Sequence, residues 1–143
     1  MPVRTSEATW RDDVNTGEGE MALGSGAWRG GYSFRSRFRE DEPTKSNPEE
    51  LLAAGHAGCF SLALANNLEQ AGYDPEVVHT TADCHLEMLE DEGPTITRID
   101  LETEVDVPGI GDAEFQELAT TAKETCPVSR ALTGVEITLE ASR

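Results

Sequence analysis

The sequence predicts an α+β protein with helices packed against antiparallel sheets. Three observations carry this expectation. One long apolar segment has both the start and the stop signals of a helix. A second helical segment follows much later. Short stretches around them alternate apolar and polar residues, giving the order β-β-β-α-β-β-α-β.

Residues 5–12 and 19–25 read as strands joined by the turn-rich DDVNTGEG. SGAWRGG reads as a loop. YSFRSRF, residues 32–38, alternates: Tyr32, Phe34 and Phe38 share one face, Arg35 and Arg37 the other, so a third strand is expected there. REDEPTKS is a charged connector. NPEELLAAGHAGCFSLALANNLEQAG then has Asn47 as N-cap, Pro48 at the first helical position, Glu49 and Glu50 in the first turn, and Gly72 at its close. About 22 residues at 1.5 Å each make a helix nearly 33 Å long. It is apolar nearly all round, which predicts burial on most sides. Gly55 and Gly58 in its interior cost roughly 1 kcal/mol each relative to alanine. Such a pair permits close approach of another backbone, from the second long helix or from a second subunit.

Residues 77–89 and 96–107 follow as strands. Ile99, Leu101, Val105 and Val107 fall on one face of the second. On the first, Cys84 is in phase with Ala82, Leu86 and Met88 and reads as core. GDAEFQELATTAKETC is a second helix, stopped by Pro127 and followed by a short helical turn in PVSRAL. VEITLEA is the last strand.

A length of 143 residues predicts one domain over residues 1–143. Hydrophobic residues are only 37%, so core material is limited and a partner subunit could add to it. The net charge of −17 argues against binding nucleic acid or an anionic membrane surface. The acid is spread along the chain, as on a solvated folded surface and as a high-salt cytosol would favour. With no apolar run long enough for a membrane span and no apolar signal core, a cytoplasmic protein is expected. Three cysteines, widely spaced, make neither a secreted disulfide framework nor a C-x-x-C zinc site.

Cys59 lies mid-helix, too far from Pro48 for the helix dipole to make it acidic. Taken alone it reads as a small buried hydrophobe. An unperturbed thiol is only a few per cent thiolate at neutral pH, and burial lowers that further, so a reactive Cys59 needs a nearby cation. Basic residues number 11 against 28 acidic, yet Arg29, Arg35, Arg37 and Arg39 cluster just before the helix. Such a stripe neutralises surrounding acid, but one of its members could serve Cys59. Cys126, followed by Pro127, sits where one helix ends and a turn begins. It should be less constrained than Cys59 and near the next turn's N–H groups, which suits a resolving thiol. His56, three residues before Cys59, is a packed helix histidine, a tuner of the thiol or a metal ligand.

NPEELLAAGHAGCFSLAL, followed about 67 residues after its cysteine by CPVSRAL, resembles the OsmC/Ohr family of thiol-dependent hydroperoxide reductases. YSFRSRF resembles that family's segment bearing an active-site arginine. AGYDPEVVHTTADCHLE and VPGIGDAEF extend the likeness over most of the chain, and CPVS, His56 and the RF pair look more like the OsmC branch. The resemblance implies an OsmC-like fold: antiparallel sheets on two long helices, in an intertwined homodimer whose N-terminal strands, residues 1–40, pack with the partner subunit. It implies Cys59 as peroxidatic cysteine, Cys126 as resolving cysteine, Arg37 as the arginine that holds the thiolate, and Glu49 as the carboxylate that orients it. The implied activity is a cysteine-based peroxidase of oxidative and osmotic stress defence. It reduces organic hydroperoxides through a Cys59 sulfenic acid and a Cys59–Cys126 disulfide, and an external dithiol regenerates it, so that sulfur does the redox work and no metal or bound cofactor is expected. Phe60 and Leu62 would give the thiol an apolar surround. On a straight helix Glu49 lies about 80° around and about 15 Å along the axis from Cys59. Either the helix starts later or a second subunit contributes. Two other classes fit the same residues: a small metal-binding protein using His56, Cys59 and Cys126, and a stress-associated binding protein with inert cysteines.

Overall fold

A computed structural model describes residues 1–39 and 44–143. The middle of the expected connector, residues 40–43, lies outside the described residues. The chain divides into two units, Met1–Leu51 and Leu52–Arg143.

In the first unit, β1 (Ser6–Arg11), β2 (Glu18–Leu23) and β3 (Arg29–Tyr32) form an antiparallel meander. Gly19 on β2 makes room for two aromatic rings. A Cβ there would lie 2.4 Å from Tyr32 and 2.8 Å from Trp10, whose centroids are 5.6 Å apart. The third strand thus falls in the expected loop SGAWRGG. YSFRSRF continues instead into a short helix, α1 (Phe34–Phe38).

The reason is a capping box. Ser33 is extended, its hydroxyl accepts from the Ser36 N–H at 3.1 Å, and Ser36 Oγ accepts from the Ser33 N–H at 2.8 Å. Phe34 and Phe38, four residues apart, then stack with centroids at 4.7 Å. Two residues at i and i+4 satisfy a period of 2 and nearly one of 3.6, so alternation alone does not separate strand from helix here. Asn47 joins α1 to the next helix. Its Nδ2 donates to Ser36 O at 3.0 Å, and its Oδ1 accepts from the Glu50 N–H at 2.8 Å as the N-cap of α2 (Pro48–Gln70). α2 starts at Pro48, not later.

The second unit holds most of α2, then β4 (Val77–Leu89), β5 (Gly93–Asp106), α3 (Asp112–Thr125), α4 (Pro127–Ala131) and β6 (Glu136–Ser142). α2 ends in a Schellman motif at Gly72, whose φ is +95°. Gly72 N–H donates to Glu69 O and Tyr73 N–H to Leu68 O, both at 3.0 Å. The sheet order is β4-β5-β6. β4 and β5 are antiparallel, but β5 and β6 are parallel, which corrects the expectation of purely antiparallel sheets. The physical reason is the connection. α3 and α4 intervene between β5 and β6, and a crossover of that length returns the chain in the same direction.

The core lies in this unit. Phe60, Leu64 and Leu68 of α2 pack with Ile99, Leu101, Val105 and Val107 of β5 and with Phe115, Ala119 and Ala122 of α3. The β5 residues keep the expected alternation, with Thr103 buried between them. Ser61 Oγ donates to Thr80 Oγ1 at 2.8 Å, pinning α2 on β4. A register shift between His85 and Leu86 interrupts the β4–β5 ladder. Beyond it Met88 is exposed, whereas Cys84 and Ala82 pack on the core.

The expected all-round burial of α2 is not met within the chain. From His56 onward its fully buried positions, His56, Phe60, Leu64 and Leu68, recur every four residues and make one stripe. On another face Leu62 is 74% exposed, and a Cβ at Gly55 or Gly58 would meet nothing among the described residues. The second long helix is therefore not what those glycines accommodate. Among the described residues no helix is long and apolar enough to cross a membrane.

Candidate active site

α2 turns Cys59 toward the start of α4. Its sulfur is half-buried, and the Val128 N–H and the Cys126 thiol lie near enough to act on its ionisation. Burial pushes the Cys59 thiol above its ordinary pKa. The Val128 N–H pulls the other way, and Cys126 adds to the upward push. In this unit, then, the thiolate form of Cys59 is disfavoured, and a cation has to be recruited for it to react.

Cys126 closes α3 and opens α4. Pro127 keeps the residue before it extended, and Cys126 has φ −61° and ψ 138°. As N-cap of α4 its sulfur takes the place of the usual oxygen, accepting from the Ser129 N–H at 3.3 Å. Cys126 is 1% exposed and belongs to the core cluster. The expectation that it is less constrained than Cys59 is corrected: one residue serves two helix ends, and the core encloses it. Neither Cys59 nor Cys126 is in a disulfide.

His56 is completely buried, and its partner is a residue that sequence reasoning missed. Its Nε2 lies 2.8 Å from Ser129 Oγ, which in turn lies 3.1 Å from Cys126 Sγ. His56 Nδ1 is buried with no hydrogen-bond partner among the described residues. Burial lowers the His56 pKa, so the ring is neutral at neutral pH. The signal for Ser129 was present in CPVS: a cysteine at N-cap and a hydroxyl three residues on are placed to meet. Among the described residues no three His, Cys, Asp or Glu side chains are grouped to hold a metal ion.

Arg37 and Glu49 meet in the first unit. Arg37 Nε donates to Glu49 Oε1 at 2.9 Å and Nη2 donates to the same oxygen at 2.6 Å. α1 presents the arginine, and the first turn of α2 presents a nearly buried carboxylate. The capping box and the Asn47 bridge set that meeting. Arg37 also lies over the Phe38 ring, 5.7 Å from its centroid. Beside it a cavity of about 240 Å³ is lined by Trp10, Tyr32, Phe34, Phe38 and Pro48. The expected apolar surround of Phe60 and Leu62 is different in kind. Phe60 is a core residue, and Leu62 is exposed.

A family model described as OsmC-like protein matches residues 40–140. The chain is 42% identical over 138 residues to the peroxiredoxin OsmC of Escherichia coli, covering 96% of this chain and 94% of that one. It is 32% identical over 98 residues to the organic hydroperoxide resistance protein OhrA of Bacillus subtilis, 66% of each chain. A crystal structure of an organic hydroperoxide resistance protein from Elizabethkingia anophelis superposes with a TM-score of 0.74 at 26% identity, over 99% of this chain and 98% of that one. Fold, family model and near full-length identity converge: the chain belongs to the OsmC-like protein family.

Proposed function

We propose that the protein is a thiol peroxidase that reduces organic hydroperoxides to alcohols, with Cys59 as the attacking thiol and Cys126 as the resolving one. One observation carries the reading. Two thiols from segments far apart in sequence lie near enough for each to act on the other, one half-buried and one enclosed. The Cys59 thiolate attacks the distal peroxide oxygen, the O–O bond breaks, and the alkoxide leaves as alcohol after taking a proton. Cys59 is left as a sulfenic acid. Cys126 displaces its hydroxyl to give a disulfide and water, which prevents further oxidation. Two electrons from an external dithiol then restore both thiols by exchange.

Arg37 is assigned as the cation that Cys59 requires. A two-unit fall in thiol pKa needs about 2.7 kcal/mol. A unit charge about 4 Å away at an effective dielectric near 20 supplies about 4 kcal/mol. Two hydrogen bonds to Glu49 fix the plane of the guanidinium and so aim its remaining donors. The aromatic cavity beside Arg37 suits the hydrocarbon part of an organic hydroperoxide better than bare hydrogen peroxide. The names of the E. coli and B. subtilis relatives, a peroxiredoxin and an organic hydroperoxide resistance protein, point the same way. The chemistry belongs in a reducing compartment such as the cytoplasm, in stress defence, and uses sulfur alone, without metal or bound cofactor. A homodimer is favoured by the open face at Gly55, Gly58 and Leu62, which a second copy would cover.

The test is a titration of the reduced protein with one equivalent of cumene hydroperoxide, read by mass. Loss of two thiols as a Cys59–Cys126 disulfide is expected, with no turnover in Cys59→Ser. Unchanged thiols in the wild type, or full activity in Cys59→Ser, would overturn the reading.

A further inference from the structure

We propose that His56 and Ser129 form a proton relay that activates Cys126, so that the step closing the disulfide has its own base. The proposal rests on the thiol-peroxidase reading above. Three observations support it. The chain of contacts is continuous and short: His56 Nε2 to Ser129 Oγ at 2.8 Å, then Ser129 Oγ to Cys126 Sγ at 3.1 Å. It is dry, since His56 and Cys126 are fully buried and Ser129 nearly so, leaving no bulk water to carry a proton from Cys126. Among the described residues His56 Nδ1 has no hydrogen-bond partner, so none of their carbonyls or carboxylates binds the ring from behind, and its hydrogen bond is to Ser129.

A buried polar ring satisfied at one end only is costly, because its other nitrogen has given up water without gaining a partner. A structural side chain at an enclosed helix position would more cheaply be apolar. The cost is understandable if the ring handles a proton. His56 is neutral, so Nε2 can accept. As Cys126 attacks the Cys59 sulfenic sulfur, its thiol proton passes to Ser129 Oγ and the hydroxyl proton of Ser129 passes to His56 Nε2. The S–S bond forms, the S–O bond of the sulfenic acid breaks, and hydroxide leaves. His56 then returns its proton to Ser129 Oγ, and the hydroxyl proton of Ser129 passes to the released hydroxide to make water. No net proton or electron is left over. Ser129 touches the reacting sulfur; His56 acts through Ser129 as a positioning residue.

The relay serves the second step, so it separates from Cys59 chemistry. The experiment uses the full chain as wild type, Ser129→Ala, Ser129→Thr and His56→Gln, each reduced and mixed with one equivalent of cumene hydroperoxide. Peroxide loss reads the first step. Quenching with dimedone or a thiol alkylator, then mass measurement, reads sulfenic acid against disulfide over time. In Ser129→Ala and His56→Gln, peroxide loss should stay within about threefold of wild type. Disulfide formation should slow by about 10²-fold, in the range of general acid–base contributions, with sulfenic acid accumulating. Ser129→Thr keeps the hydroxyl and should restore the rate. Glutamine keeps a polar group near Ser129 without accepting a proton, so it tests the base rather than the bond. A thermal melt checks each fold, and the Ala and Thr pair decides if His56→Gln unfolds. Disulfide formation at the wild-type rate in Ser129→Ala would overturn the relay. So would equal slowing of both steps, which is what a merely structural role predicts. Absence of any Cys59–Cys126 disulfide in the wild type would instead overturn the peroxidase reading, and the relay with it.

Discussion

Arg37 places both Nε and Nη2 on a single oxygen of Glu49, at 2.9 and 2.6 Å, while Glu49 Oε2 is buried without a hydrogen-bond partner among the described residues. The carboxylate is nearly enclosed and the arginine is not, with side-chain exposures of 8% and 38%. Such a pair aims an arginine more than it stabilises a fold, because the exposed partner is screened by solvent. Glu49→Gln keeps volume and one acceptor oxygen but removes the charge. It should fold and lose roughly tenfold in kcat/KM for cumene hydroperoxide, whereas Arg37→Met should lose about 10²- to 10³-fold, as a loss of about 3–4 kcal/mol implies. Steady-state assays with a dithiol reductant decide this, and an Arg37→Met enzyme at wild-type rate would remove Arg37 from the site.

The pH dependence of the first step follows from Cys59. Burial raises its pKa, so the reactive thiolate becomes scarcer about tenfold per unit below that value. The rate of peroxide loss in a single turnover should rise with pH and then level. In Arg37→Met the midpoint should move up by about 1–2 units, since the opposing cation is gone. Coincident profiles for the two proteins would contradict the assignment.

Stability should also depend on pH through His56. Burial lowers its pKa in the folded state, so below about 6.5 the unfolded chain takes up a proton that the folded chain refuses. The contribution is fully present above that pH and is lost as pH falls toward the folded-state value. One proton limits the slope to about 1.4 kcal/mol per pH unit. Urea melts between pH 7.5 and 5 should show wild type losing stability faster than His56→Gln.

Charge predicts a salt effect. A net charge of −17 on 143 residues repels itself in the folded state more than in the expanded chain. Raising salt shortens the screening length from about 10 Å at 0.1 M to about 3 Å at 1 M. The melting temperature should rise over that range, and a fall would show that the acidic surface is not a destabilising load.

The open face of α2 makes a fifth prediction. Leu62 is 74% exposed, so Leu62→Asp costs little within one chain. If a second copy covers the face, that substitution shifts the protein from dimer to monomer in sedimentation. An unchanged sedimentation coefficient would place the interface elsewhere.

What was legible in the sequence is what local chemistry dictates. Asn47, Pro48 and Gly72 bounded α2, because caps are satisfied within one turn of the chain. The alternation of Ile99, Leu101, Val105 and Val107 marked the core face of β5, because strand faces repeat every two residues. YSFRSRF was misjudged because Phe34 and Phe38 satisfy both periods, and the Ser33–Ser36 capping box decided between them.

By itself the sequence determined where most helices and strands lie, which thiols are worth watching, and the acidity of the surface. Tertiary structure decided which side chains those elements bring together. It made β6 run parallel to β5, through the length of the α3–α4 crossover. It placed Ser129 between His56 and Cys126, and it enclosed Cys126 while leaving Cys59 half-open. Apart from the Cys126–Ser129 contact, which lies within one helical turn, those are contacts between segments distant along the chain. Their geometry is set by core packing over many residues at once, and no local pattern of spacing or charge encodes it.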